Sequence, residues 1–95
     1  MKGTEKQIEW ARNIVKMIGM IFEDAEKMQA NHPMINQVKN MHNKIIENMN
    51  NMKAADIIDD FKDIVKHEGK VMEDYKDVLN QIVVCEMTNG RAYRK

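Results

Sequence analysis

Apolar residues recur at alternating spacings of three and four along most of the chain, and this regularity limits the possible folds more than any other feature. One face of an α-helix repeats every 3.6 residues, so the spacing predicts helices. The first row consists of Ile8, Ala11, Val15, Ile18, Phe22 and Ala25. A row beside it consists of Trp10, Ile14, Met17, Ile21 and Met28. Two adjacent rows make a broad apolar face, which predicts a helical bundle in which the first helix packs against two neighbours.

Local signals set the ends of the first two helices. Thr4 followed by Gln7 has the spacing of a capping box and predicts a helix start. Asn31-His32-Pro33 separates the two helices, because the residue before a proline avoids helical geometry while proline suits a first helical turn. The second helix should end at Asn50-Asn51. Seven asparagines between residues 31 and 51 lower its intrinsic helicity, so packing must stabilise it.

The last segment keeps its spacing without a phase slip on both sides of Gly69. The row consists of Ile58, Phe61, Val65, Glu68, Met72, Tyr75, Leu79, Ile82 and Glu86. One internal glycine costs only about 1 kcal/mol, so the pattern predicts one long third helix that is kinked or broken at Gly69 at most. We therefore predict an all-α three-helix bundle with helices over 4–30, 33–50 and 54–87. The third helix outruns the others, which predicts that a second copy covers it in a dimer or higher oligomer.

Length and composition exclude several classes of protein. The 95 residues are enough for one domain, predicted over 1–90 with a basic mobile tail over 91–95. Fifteen basic and fifteen acidic side chains balance, so we expect no direct binding to nucleic acid. The first residues are polar where a signal peptide is apolar, and the longest apolar run, 82–85, is too short to span a membrane. With the single cysteine Cys85, these features predict a cytoplasmic protein.

The residues that carry chemistry do not form a catalytic or metal-binding pattern. His32, His42 and His67 fall on three segments without metal-ligand spacing, and the chain contains no serine. We interpret His32 as a boundary residue and His42 as a partly buried helix residue. The sequence therefore predicts a protein that is not an enzyme and that uses no cofactor and no metal. An enzyme with Glu68 and a histidine in acid–base roles is the weaker alternative.

Glu68 lies in the apolar row of the third segment, where a charge is costly unless it is paired. One interpretation places its carboxylate in water, where the helix bends or leaves the bundle. The other makes it a buried polar contact that fixes the register of a dimer or receives a ligand.

Charge is distributed unevenly in spite of the neutral total. Residues 54–80 carry eight acidic and four basic side chains. An acidic outer stripe is predicted from Asp56, Asp59, Asp60, Asp63, Asp74 and Asp77. Such a stripe is either an ordinary solvated face, paired with lysines at helical spacing, or a phosphate mimic that occupies a basic groove of a nucleic-acid enzyme. The candidate interaction residues are Asp56, Asp59, Asp60, Asp63 and Glu68.

The C-terminal tail has the opposite character, with Arg91, Tyr93, Arg94 and Lys95. Three cations beside an aromatic ring can contact phosphate groups, and an oligomer would multiply their effect. These four residues are the candidate ligand site of a second functional hypothesis, an oligomer that sequesters a nucleotide or another anion between its subunits.

The opening of the chain is Gly3-Thr4-Glu5-Lys6-Gln7-Ile8-Glu9-Trp10-Ala11. It resembles the G-[ST]-E-K-Q-I-x-W-A start of small proteins of Gram-positive bacteria and their phages. The resemblance covers nine residues and brings no catalytic residue with it. It implies a bacterial or mobile-element setting and an N-terminal helix with Ile8, Trp10 and Ala11 packed inward.

Together these features favour a non-enzymatic interaction protein. The leading hypothesis is a phage or mobile-element inhibitor that occludes the surface of a host defence protein, such as a nuclease. It predicts a host protein as the partner, in addition to a second copy of the chain.

Overall fold

Four α-helices form the described part of the chain, which comprises residues 1–64 and 70–88 of this computed structural model. They are α1 (Glu5–Met28), α2 (Ile35–Asn50), α3 (Ala54–Phe61) and α4 (Val71–Thr88). Over these two ranges the structure contains no β-strand, only an isolated bridge between Lys2 and Lys53. The prediction of an all-α fold is confirmed.

The α1 helix is the centre of the molecule, because α2, α3 and α4 all pack against it. It begins with the predicted capping box, in which the Gln7 amide donates to the Thr4 hydroxyl at 3.2 Å and the Thr4 amide donates to Gln7 Oε1 at 3.0 Å. The first apolar row forms the core face of α1. Its fully buried members are Ala11, Val15, Ile18, Phe22 and Ala25, and Ile8 packs partly buried against them.

The second apolar row of α1 is buried only in part. Ile14 and Ile21 join the core and Met17 is half-buried, but the side chains of Trp10 and Met28 are exposed. The expectation that Trp10 packs inward is therefore wrong. Trp10 lies at the edge of the apolar face, beyond the surface that the neighbouring helices cover.

The single long third helix is also wrong, because α3 ends at Phe61 and a turn follows it. The amide of Ile64 donates to the Phe61 carbonyl at 3.0 Å, and α4 begins at Val71. Phe61 in α3 and Val78 in α4 are buried in the same core against α1. The apolar spacing happens to continue across the break, although a turn imposes no helical register between α3 and α4, so the spacing does not distinguish one long helix from two.

The break changes the argument for a second copy. Since α4 packs against both α1 and α3, the chain itself covers part of the apolar length that the sequence assigns to a dimer contact. The positions of Gly69 and Glu68 lie outside the described residues, as do His67 and the tail over 91–95. Oligomerisation stays a prediction.

The α2 helix begins at Ile35, two residues after the predicted start, so Pro33 precedes the helix instead of lying in its first turn; the helix ends at Asn50 as predicted. The Met34 amide donates to Nδ1 of His32 at 3.0 Å, so His32 is part of the turn that precedes the helix, as expected. Among the described residues, no helix is both long enough and apolar enough to cross a membrane.

Candidate functional site

A chain of three polar side chains joins α1, α2 and α4 inside the bundle. The Nδ1 atom of His42 lies 2.6 Å from Oε2 of Glu26, and its Nε2 atom lies 2.7 Å from the hydroxyl of Tyr75. His42 is only 2% exposed, and Tyr75 is buried as well. We call Glu26, His42 and Tyr75 the polar chain.

Aromatic packing fixes the plane of the imidazole. The ring of Phe22 stacks on His42 with a centroid distance of 4.3 Å and an interplanar angle of 11°. The Tyr75 ring meets both of these rings edge-on, at 5.3 Å from His42 and 5.9 Å from Phe22. Phe22 and Glu26 are four residues apart on α1, so one face of that helix supplies both the stacking surface and the carboxylate.

The partners of the imidazole define its protonation pattern. An ionised carboxylate only accepts hydrogen bonds, so Nδ1 of His42 carries a proton and donates it to Glu26. In the neutral ring Nε2 then accepts from the Tyr75 hydroxyl. Burial, and to a lesser extent the charge of Glu26, raises the pKa of Tyr75, which keeps the phenol protonated as a donor. Each of the two ring nitrogens therefore has one partner.

One end of the polar chain reaches the surface. Glu26 lines an open cleft of about 310 Å³ together with Glu23, Lys27, Ala30 and Lys39, and its side chain is 19% exposed. Glu23 and Lys27 form a surface ion pair at 3.7 Å. His42 and Tyr75 do not line the cleft, so Glu26 is the member of the polar chain that a ligand there could touch, while the other two position its carboxylate.

The second candidate feature is a set of large apolar side chains that are exposed on α1, on α2 and at the N-cap residue of α2. Trp10 is 51% exposed and Met28 is 62% exposed. The five side chains are Trp10, Met20, Met28, Met34 and Met41, which we call the α1–α2 apolar surface. They are spread along α1 and α2, since Trp10 and Met28 alone lie about 27 Å apart at the usual helical rise. Sequence analysis assigned Trp10 and Met28 to the buried face of α1 and therefore did not identify this surface.

The acidic residues singled out from the sequence do not all lie outside. Asp59 and Asp63 are exposed and Asp56 is half-buried, but Asp60 is only 6% exposed. Asp74 on α4 is buried too. The predicted outer stripe is therefore wrong for Asp60 and Asp74. The backbone carbonyl of Asp60 accepts a hydrogen bond from the side chain of Gln81 on α4 at 2.8 Å.

The remaining predicted residues are not brought to either feature by the described structure. Glu68, Arg91, Tyr93, Arg94 and Lys95 lie outside the described residues. Among the side chains that the structure describes, in residues 1–64 and 70–84, no group of three or more His, Cys, Asp or Glu residues is arranged to hold a metal ion. Of the residues named from the sequence as carriers of chemistry, His42 is the one that the structure places in a buried polar cluster.

Comparison of this chain with protein-family models, with curated proteins and with solved structures finds no match.

Proposed function

We propose that this chain is a non-enzymatic interaction protein, encoded by a phage or another mobile element, that inhibits a host defence protein by occluding its surface. It would act in the host cytoplasm. The observation that carries the proposal is the α1–α2 apolar surface. The five large apolar side chains of this surface are 43% to 62% exposed, although other Ile, Val, Phe and Met side chains of the domain are buried in its core.

The residue types of this surface suit binding to another protein. Tryptophan is enriched among the residues that dominate binding energy, and methionine adapts its shape to different partners. Trp10, Met20 and Met28 come from α1, while Met34 caps α2 and Met41 lies within it. Scattered exposed apolar residues are common, so the proposal depends on the size and type of these five together.

Two exposed aspartates, Asp59 and Asp63, which we call the acidic face, contribute a second element of the proposal. The carboxylates of Asp59 and Asp63 are exposed on α3 and in the turn after it. A negative surface speeds association with a positively charged partner and discriminates against negatively charged ones. This supports a basic groove, such as that of a nucleic-acid enzyme, as the target.

A capture experiment tests the apolar surface. Immobilised wild-type protein and Trp10→Ala are incubated with a bacterial host lysate, and stoichiometric partners are quantified. Truncation of a tryptophan that dominates the binding energy of an interface costs about 2 kcal/mol or more, so we expect Trp10→Ala to weaken capture at least about tenfold. Lys76→Ala, at an exposed position of α4, is the matched control and should capture as the wild type does.

Two results would count against the proposal. Equal capture by wild type and Trp10→Ala would remove the apolar surface from the interface. Repeated failure to find any stoichiometric partner would reject the interaction protein itself.

The acidic face is tested separately, once a partner is captured. The double variant Asp59→Asn with Asp63→Asn removes two exposed charges without shortening the side chains. We expect a slower association rate at low salt and a weaker dependence of that rate on salt, with little change in dissociation. An association rate equal to that of wild type at every salt concentration would show that the acidic face does not meet the partner.

The alternative, an oligomeric protein that sequesters a nucleotide or another anion, gains no support from the cleft beside Glu26. Its charged lining consists of two glutamates and two lysines, so the cleft does not select for an anion. That hypothesis stays a prediction about Arg91, Tyr93, Arg94 and Lys95.

A further inference from the structure

We propose that α2 is a displaceable helix, and that the surface it covers on α1 and α4 accepts an amphipathic helix of a partner protein.

The α2 helix contributes little to the core. Two of its 16 residues, His42 and Met49, are buried, whereas α1 buries seven of 24 and α3 buries five of eight. Apolar burial is the main source of helix stability in a folded protein. The α2 helix therefore has the smallest stabilisation per residue of these three helices.

The α2 helix also has little helical stability of its own. Five of its residues are asparagine, which favours turns and caps over helix interiors. Its N-cap residue, Met34, makes no side-chain capping bond, and its ends carry neither an acidic first turn nor a basic last turn. Once α2 leaves α1 and α4, it has no local reason to stay helical, which makes its opening cooperative.

Among the described residues, one side chain of α2 makes its polar contacts with the rest of the bundle. His42 holds both hydrogen bonds of the polar chain, one to Glu26 on α1 and one to Tyr75 on α4, and it stacks on Phe22. Withdrawal of this single ring ends all three contacts together. It also uncovers Phe22 and Tyr75, which are otherwise buried.

The contacts that α2 makes with α1 and α4 indicate which residues a partner helix needs in order to replace it. A competing helix needs an imidazole, or another ring that can accept a hydrogen bond, opposite Tyr75, and a large apolar side chain two turns later in the place of Met49. This part of the inference rests on the proposed function, which supplies the partner. The opening of α2 does not depend on it.

Native-state hydrogen exchange tests the opening on the wild-type protein. We expect the amides of α2 to exchange through one open state and the core amides of α1, such as those of Ile18 and Phe22, through another. The open state of α2 should be at least about tenfold more populated than that of α1. One opening population shared by both helices would overturn the proposal.

Two variants sharpen this measurement. Ile57→Val weakens the buried contact between α3 and α1, which persists when α2 opens, so it should raise the exchange rate of α1 and leave that of α2 unchanged. Tyr75→Phe removes a hydrogen bond that breaks both when α2 opens and when the α1 amides become exposed. It should therefore raise the exchange rates of α1 and α2 by the same factor, about fivefold. If Ile57→Val accelerates α1 and α2 equally, α2 does not open on its own.

The acceptor surface is tested with a synthetic peptide of residues 34–51. The His42→Ala protein holds its own α2 more weakly, so it should bind this peptide at least about tenfold more tightly than wild type does. A peptide with His42→Ala is the control and should bind more weakly than the parent peptide. Equal affinity of both peptides would overturn the acceptor surface, and neither experiment needs the host partner on which the proposed function depends.

Discussion

At the scale of single residues, the polar chain shows why one histidine in the interior is stable. Its ring places a donor against the Glu26 carboxylate and an acceptor against the Tyr75 hydroxyl. A buried polar atom that loses its partner costs about 1–3 kcal/mol, whereas a satisfied one costs little. The three residues should therefore respond to substitution as a unit rather than independently.

Removal of the ring should be much more costly than removal of one bond. His42→Ala leaves Tyr75 and Glu26 without their partner and opens a cavity beside Phe22, so we expect a loss of about 3 kcal/mol in the free energy of unfolding. Tyr75→Phe keeps the ring and should lose about 1 kcal/mol. Urea denaturation measures both, with exposed Lys44→Ala on α2 as the control. Equal effects of His42→Ala and Lys44→Ala would contradict the polar chain.

Tyr75 also predicts a dependence of stability on alkaline pH. Burial and the charge of Glu26 raise its pKa above the ordinary value of 10.0, so the native state holds the phenolic proton more tightly than the unfolded state. The corresponding stability is fully present below pH 10 and is lost as the pH rises through the higher native pKa. Unfolding midpoints measured from pH 8 to 12 should fall more steeply for wild type than for Tyr75→Phe; parallel curves would show that the phenol does not titrate differently on folding.

At the scale of helices, the sequence predicts helix ends that carry a local signal better than it predicts where the chain reverses direction. Thr4 with Gln7, and His32 before Pro33, act through short hydrogen bonds that a few neighbouring residues encode completely. The break after Phe61 is different, because apolar periodicity reports which face is buried and not whether the chain reverses. The polar chain could not be predicted from the sequence either, because Glu26 and Tyr75 lie 16 and 33 residues from His42 and no local pattern links them.

The reversal between α3 and α4 can be measured directly. In a continuous helix, positions 59 and 76 would be about 25 Å apart, at the usual rise of 1.5 Å per residue. Because α4 folds back against α3, we expect a clearly shorter distance. Spin labels at Asp59→Cys and Lys76→Cys, both exposed positions, in a Cys85→Ser background report it by pulsed electron resonance. A distribution centred near 25 Å would restore the long helix.

At the scale of the whole molecule, the question is whether the chain acts alone. The fold-back of α4 covers apolar surface that we first assigned to a second copy, yet Val83 and Val84 in the last turns of α4 remain 49% exposed. These two valines are the large apolar residues of α4 that are exposed among the described side chains. A dimer that uses α4 would form through them.

We expect the wild-type protein to form a dimer through this end of α4, and the double variant Val83→Lys with Val84→Lys to be a monomer. Two lysines facing their symmetry mates would replace apolar contact with charge repulsion across a two-fold interface. Both substitutions lie at exposed positions, so the helix content measured by circular dichroism should not change. Native mass spectrometry of both proteins at the same concentration decides the matter. A monomeric wild type would show that one chain is the functional unit, whereas a dimer that survives both substitutions would place the interface elsewhere on the molecule.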